Sequence, residues 1–201
     1  GHGDEVIIPN LTFAAVANAV IAAGADCVLS DVEQDRPLLD LDEVQKLVSK
    51  KTKAVIVVHS YGYIVDVAAL RKTLPDSISI IEDCAEAHFG QLGDTLVGEV
   101  SEIATFSFFA NKIITTGEGG MCLTSSQILK ERMETIRDHG MAKDKKYWHE
   151  EWGFNFRMTN IQAAIGIAQL DKVTDILENR QCSCNIWKEF LKSYNFVAEI
   201  P

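Results

Sequence analysis

No run of this sequence approaches the roughly 20 consecutive apolar residues that span a bilayer, and its first residues lack the layout of a secretory leader. A soluble, cytoplasmic protein is the expectation. Basic residues are scarce: 19 against 29 acidic ones give a net charge of −10. That balance argues against sequence-independent binding of nucleic acid, which needs a basic face, so any phosphate-bearing ligand must be held locally. Paired cysteines are lacking too. Cys27, Cys84, Cys122, Cys182 and Cys184 are odd in number, scattered and mostly set in apolar runs, which excludes a disulfide framework. Cys182 and Cys184 have no histidine at zinc-finger spacing, which sets aside a metal site there. Internal repeats and low-complexity tracts are absent.

What is present is an ordinary globular composition, 47% hydrophobic and 24% charged over 201 residues, enough for one domain or one domain with part of another. The chain opens without Met, enters the strand-like Glu5-Val6-Ile7-Ile8 almost at once, and stops in Asn195-Phe196-Val197-Ala198-Glu199-Ile200-Pro201. That last run reads as the start of another element, so a piece of a longer protein is expected.

Short runs rich in Val and Ile alternate with segments of helical period, the pattern of βα units around a mainly parallel sheet. Strands are predicted at 5–8, 27–29, 54–59, 77–81, 104–108 and 121–124. Helices are predicted at 12–23 with Thr12 as cap and Gly24 as stop, at 41–50 capped by Asp40, and at 65–74, 126–138 and 160–179, the last continuing past Gln181 with a bend. In such sheets ligands gather beyond the carboxyl ends of the strands. His59, Asp83 and Lys112 all fall at or shortly after such ends.

Lys112 is thus an amine, and Asp83 a carboxylate, each placed just past an apolar strand. These are the two groups that pyridoxal phosphate chemistry needs most: the amine bonds the aldehyde and the carboxylate holds the pyridine nitrogen protonated. Ser107 precedes Lys112 and its hydroxyl can bind a phosphate, while Thr115-Thr116-Gly117-Glu118-Gly119-Gly120 follows, with glycines that permit close backbone approach. Asp83 can instead cap a helix. Glu86 would share a face with Asp83 in a helical turn, either contacting the cofactor ring or capping the turn. His59 and His88 are either functional or satisfied by backbone partners. Phe13 is either a core side chain or a ring that stacks on another ring. Tyr147-Trp148-His149 interrupts a polar stretch and either binds something or folds back on its own domain. Asn155 and Arg157, in Gly153-Phe154-Asn155-Phe156-Arg157-Met158, suit an interface or an anion site.

Six ordered motifs carry a resemblance: Pro-x-x-Thr-Phe, Val-His-x-Tyr-Gly, Glu-Asp-Cys-Ala-Glu-Ala-His, Phe-Ser-Phe-Phe-x-Asn-Lys, Thr-Gly-Glu-Gly-Gly-Met and Gly-Phe-Asn-Phe-Arg-Met-Thr-Asn-Ile-Gln-Ala-Ala. Together, from about residue 3 to about residue 170, they resemble the DegT/DnrJ/EryC1/StrS sugar-nucleotide aminotransferases. Within that family, segments 105–121 and 147–164 are most similar to the perosamine synthases, which aminate C4 of a GDP-linked 4-keto-6-deoxy sugar.

The resemblance implies the large domain of fold-type I pyridoxal phosphate enzymes, a mainly parallel, seven-stranded-type sheet with helices on both faces. Residues 1–170 would form that domain, short of its first elements, and 171–201 a linking helix and the start of a small C-terminal domain. By the same resemblance Lys112 is the Schiff-base lysine, Asp83 the partner of the pyridine nitrogen, Ser107 a phosphate ligand and Phe13 the stacking ring. Glu86 stands where many members carry Gln. Asn155 would reach the cofactor phosphate of the neighbouring subunit, making a homodimer with shared sites. Tyr147, His149 and Arg157 are the candidates for contacting the nucleotide sugar, and glutamate is the implied amino donor. Two other readings are a sugar dehydratase, whose relatives carry histidine in place of the lysine, and a non-catalytic regulator that keeps the fold. Lys112 speaks against the first, and Lys112 together with Asp83 against the second.

Overall fold

The structure, a computed structural model, describes residues 1–192 and 194. In chain order it comprises β1 (Glu5–Pro9), α1 (Ala15–Ala22), β2 (Asp26–Ser30), α2 (Leu41–Leu47), β3 (Thr52–Val58), α3 (Val67–Thr73) and β4 (Ser79–Asp83). A small hairpin of β5 (Gln91–Leu92) and β6 (Thr95–Leu96) follows, then β7 (Ile103–Ser107), β8 (Gly120–Leu123), α4 (Gln127–Arg137), α5 (Asn160–Leu170) and α6 (Val173–Leu191). The main sheet has six strands among the described residues, in the order β2-β1-β3-β4-β7-β8. All pairings are parallel except β7 with β8.

Side chains alternate across a strand, and here both faces are apolar. Ile7, Val55, Val57 and Ile80 point to one face, where they pack with Val44 of α2 and Val67 and Leu70 of α3. Ile8 and Ile56 point to the other, against Val16 and Val20 of α1. Each such aliphatic side chain contributes about 1.5–3 kcal/mol on full burial. The same alternation carries into β4: Glu82 follows Ile80 onto the α2–α3 face, and Asp83 follows Ile81 onto the α1 face.

Capping matches sequence chemistry at four helices. Asp40, Asp66, Ser126 and Thr159 each accept a main-chain N–H of the first turn, and Thr159 with Gln162 completes a capping box.

Several expectations are corrected. Thr12 caps nothing: α1 begins at Ala15 without a side-chain cap, and the Thr12 hydroxyl is buried without a partner. Asn10 is bonded to Ser30 and Asp31, which keeps the chain extended at this point. The helix predicted to reach residue 50 ends at Leu47, because the Ser49 N–H bonds the Thr52 hydroxyl and the Ser49 hydroxyl bonds Glu5. The helix predicted from 160 to 179 breaks at Asp171 and Lys172, where the Lys172 N–H turns to the Gln169 carbonyl. The hairpin of two-residue strands has no sequence pattern long enough to announce it. The element expected at 195–201 lies outside the described residues. No helix among the described residues is long and apolar enough to cross a membrane.

Candidate active site

Because β1, β3, β4 and β7 are parallel, the segments that follow them leave from one edge of the sheet. The loop after β7 closes on its own first residue: Phe108 N–H bonds the Gly119 carbonyl at 2.8 Å, and the Phe108 carbonyl accepts from Thr116 N–H at 2.9 Å and the Thr115 hydroxyl at 3.1 Å. Gly119 is required there. Its φ is +151°, and a β-carbon would stand 2.6 Å from Thr116 Oγ1. Within this loop Lys112 N–H turns back to the Phe109 carbonyl at 3.0 Å.

The Lys112 ammonium lies 3.7 Å from Glu86 Oε1, with the lysine side chain largely buried. The other Glu86 oxygen accepts the N–H of Tyr61 at 3.0 Å. Tyr61 holds a left-handed backbone, φ +55°, so Glu86 joins the loops after β3, β4 and β7.

Asp83 ends β4 half-buried, one oxygen accepting Ala85 N–H at 3.0 Å. Burial raises its carboxyl above the ordinary value; the Ala85 bond and the charge of Lys112 pull it back only in part, and Glu86 adds to the rise. Ser107 accepts the Phe109 N–H at 3.3 Å through its hydroxyl oxygen, which leaves its own proton to give. His88 is buried against Phe106 and Phe108, with ring centroids 5.6 and 5.9 Å away. Burial lowers its basicity, and the charges of Lys112 and Arg180 act in the same direction against the opposing Ser107 main chain.

On the opposite face His59, expected past a strand end as either a functional or a backbone-satisfied histidine, pairs with Glu82, which sequence reasoning did not single out. His59 Nε2 and Glu82 Oε2 are 2.8 Å apart, both side chains fully buried. Val65 N–H donates to His59 Nδ1 at 3.2 Å, so the imidazole proton is on Nε2 and is donated to Glu82. Gly98 N–H also donates to Glu82 at 2.8 Å. Burial alone would raise the Glu82 carboxyl, but bonds from His59, Ser101 and Gly98 outweigh it and hold the group below its ordinary value. The strand period that sends Ile80 inward was the available signal for Glu82. Cys84 lies within 4.8 Å of both, and burial and the neighbouring carboxylates push its thiol far up, which disfavours a free nucleophilic thiolate there.

The geometry therefore gathers Lys112, Asp83 and Glu86, with Ser107 at the end of the same strand β7. It does not join the other predicted residues to them. Phe13 stands 81% exposed between β1 and α1. The bonds of the remaining four stay within residues 138–157: Arg157 bonds Asp138 at 2.9 Å and Asn155 at 3.4 Å, His149 Nδ1 bonds the His139 carbonyl at 2.9 Å, and the Tyr147 ring lies 5.0 Å from the Lys146 ammonium.

A mainly parallel sheet with one antiparallel edge strand, helices on both faces, and a lysine and half-buried aspartate past neighbouring strands defines a fold-type I large domain. The comparisons with known proteins agree. The chain belongs to the DegT/DnrJ/EryC1/StrS aminotransferase family, whose pattern it matches over residues 1–201. It is 45% identical over 182 residues to the GDP-perosamine synthase of Caulobacter vibrioides, covering 90% of this chain and 49% of that protein. Helicobacter pylori PseC, an aminotransferase involved in the biosynthesis of pseudoaminic acid, superposes with a TM-score of 0.88 at 30% identity, over 97% of this chain and 53% of that one. Spr1654 of Streptococcus pneumoniae in its PLP form gives 0.86 at 26% identity, over 96% and 55%. The chain spans about half the length of the curated relatives it matches.

Proposed function

We propose that the full-length protein is a pyridoxal phosphate-dependent aminotransferase that moves an amino group from glutamate to a nucleotide-linked 4-keto-6-deoxy sugar. The observation that carries this reading is the Lys112 amine, held 3.7 Å from Glu86 at the sheet edge where its charge acts on Asp83. The residues suit the cofactor. Asp83 is a desolvated carboxyl short of positive charge, which a pyridine N–H would supply; Ser107 has a hydroxyl proton for a phosphate oxygen; Phe13 presents an exposed ring.

Bound pyridoxal phosphate supplies an aldehyde that accepts and returns the amino group, and a protonated ring that withdraws electrons. Lys112 Nζ would be the amine that holds the aldehyde. With the cofactor bound, Lys112 Nζ would be the base that takes the proton from the donor's α-carbon and the acid that gives it to the aldehyde carbon, a role worth about 10²–10⁴-fold. Glu86 faces the Lys112 ammonium through that transfer. Asp83, ionised, would hold a proton on the pyridine nitrogen.

The GDP-perosamine synthases among the relatives support a GDP-linked sugar as the acceptor, and Tyr147, His149 and Arg157 are assigned to its recognition. Asn155 serves the site of a second copy. Trp152, Phe154 and Phe156 are exposed around it, and the two phenylalanines stack with centroids 4.7 Å apart, an apolar surface suited to a homodimer. Residues 1–170 act as the cofactor-binding domain and 171–201 as the link to a C-terminal domain, in a cytoplasmic enzyme. The test is borohydride reduction of full-length protein incubated with cofactor. A pyridoxyl group fixed on Lys112 is expected; its absence hands the fold to a non-catalytic role.

A further inference from the structure

Three side chains of α5 and α6 reach the main chain of the loop that carries Lys112. Gln162 Nε2 donates to the Glu118 carbonyl at 2.8 Å. Gln169 engages both main-chain groups of Thr115: its Oε1 accepts the N–H at 3.1 Å and its Nε2 donates to the carbonyl. Arg180 donates to the carbonyl of Lys112 itself at 3.2 Å.

The two glutamines are seven residues apart, so they share one face of α5. Gly166, on that face between them, lets the helix come close: a β-carbon there would lie 3.2 Å from Thr116 Cγ2. A carboxamide that pairs with the N–H and the C=O of one residue reproduces two ladder hydrogen bonds, fixing height and orientation at once. Arg180 completes the contact from the next helix, and its guanidinium forms no ion pair among the described residues. The loop's own bonds to Phe108 secure its base. Its span from Lys112 to Glu118 is held from outside, at three points.

We propose that Gln162, Gln169 and Arg180 are positioning residues for the Lys112 amine, a clamp by which the α5–α6 pair sets where that nitrogen stands at the sheet edge. The inference rests on the assignment of Lys112 as the reactive amine. None of the three needs to touch cofactor or substrate.

The test uses full-length protein and the variants Gln169→Ala, Arg180→Ala and Arg180→Lys. Two quantities are compared: the rate at which pyridoxal phosphate becomes borohydride-fixable on Lys112, by peptide mass spectrometry, and the affinity for pyridoxamine phosphate, which has no aldehyde and makes no bond to the lysine. Because about 1 Å of misplacement can be worth about 10²-fold, Gln169→Ala and Arg180→Ala are expected to slow fixation at least about 10-fold with pyridoxamine phosphate affinity within about twofold of wild type. Arg180→Lys, which keeps a cationic donor, recovers part of the rate. Thermal melting of each variant establishes that it is folded. Variants that fix the label at the wild-type rate, or that lose both quantities in proportion, overturn the clamp alone. A wild-type protein that binds pyridoxamine phosphate but takes no label on Lys112 overturns the functional assignment and this inference together.

Discussion

Glu82 and Asp83 are consecutive in β4 and face opposite sides of the sheet. Glu82 is locked to His59 at 2.8 Å with both side chains buried. Asp83 stands half-buried within the field of Lys112. Glu82 draws an imidazole and a main-chain donor from the fold, both on its Oε2, whereas Asp83 accepts one main-chain N–H and lies at the site edge, a difference that suits a structural task for the first and, under the proposed function, a ligand for the second.

Removing His59 takes away the imidazole N–H that donates to the buried Glu82 carboxylate. His59→Ala should therefore destabilise the protein by about 2–3 kcal/mol in denaturant unfolding, the upper range for a buried acceptor left short of a donor. The Glu82 carboxyl is held below its ordinary 4.5, so its stabilising contribution is full above that value and is lost as pH falls through the lower, folded value. A His59→Ala variant within about 1 kcal/mol of wild type would remove the buried pair from this account.

Asp83 carries the opposite sign. Its carboxyl is raised above 3.8, so in the cofactor-free protein its contribution is present at low pH and is lost as pH rises through the raised value. Pyridoxal phosphate needs the ionised form, so affinity should fall as pH drops through that raised value. Asp83→Asn should weaken binding by about 10- to 1,000-fold, the span commanded by one opposite charge at bonding distance. It should also flatten that part of the pH profile relative to wild type in equilibrium dialysis.

Lys112→Arg keeps a positive charge opposite Glu86 but supplies no nucleophilic amine. Transamination should fall by at least about 10²–10⁴-fold while pyridoxamine phosphate still binds. Stopped-flow assays of the glutamate half-reaction measure the first quantity and fluorescence titration the second. Residual transamination above about one-tenth of wild type would assign the proton transfer to another group.

Gly119→Ala sets a β-carbon at a backbone angle of +151°, 2.6 Å from Thr116 Oγ1 and 3.0 Å from the Met158 terminal methyl. Strain of about 1–3 kcal/mol is expected. The melting temperature should fall, and borohydride labelling of Lys112 should fall with it as the loop opens from Phe108.

Much of this was legible in the chain. Parallel strands buried on both faces read as continuous Val and Ile runs, and groups placed just past them, Asp83 and Lys112, follow from counting to the end of each run. Glu82 escaped because it closes an apolar run whose alternation was not carried one residue further. Gln162, Gln169 and Arg180 left no trace, since their main-chain partners lie 44, 54 and 68 residues away and no local period encodes such contacts. Phe13, Tyr147, His149, Asn155 and Arg157 were chosen for chemistry or resemblance, and the fold of this chain does not bond them to the Lys112 cluster.

The most direct test of the account follows nitrogen. Full-length protein with pyridoxal phosphate, ¹⁵N-glutamate and a GDP-linked 4-keto-6-deoxy sugar should yield a sugar nucleotide carrying ¹⁵N at C4, and Lys112→Ala should yield none. A sugar nucleotide that emerges without the label, while Lys112 is fully occupied by cofactor, would contradict it.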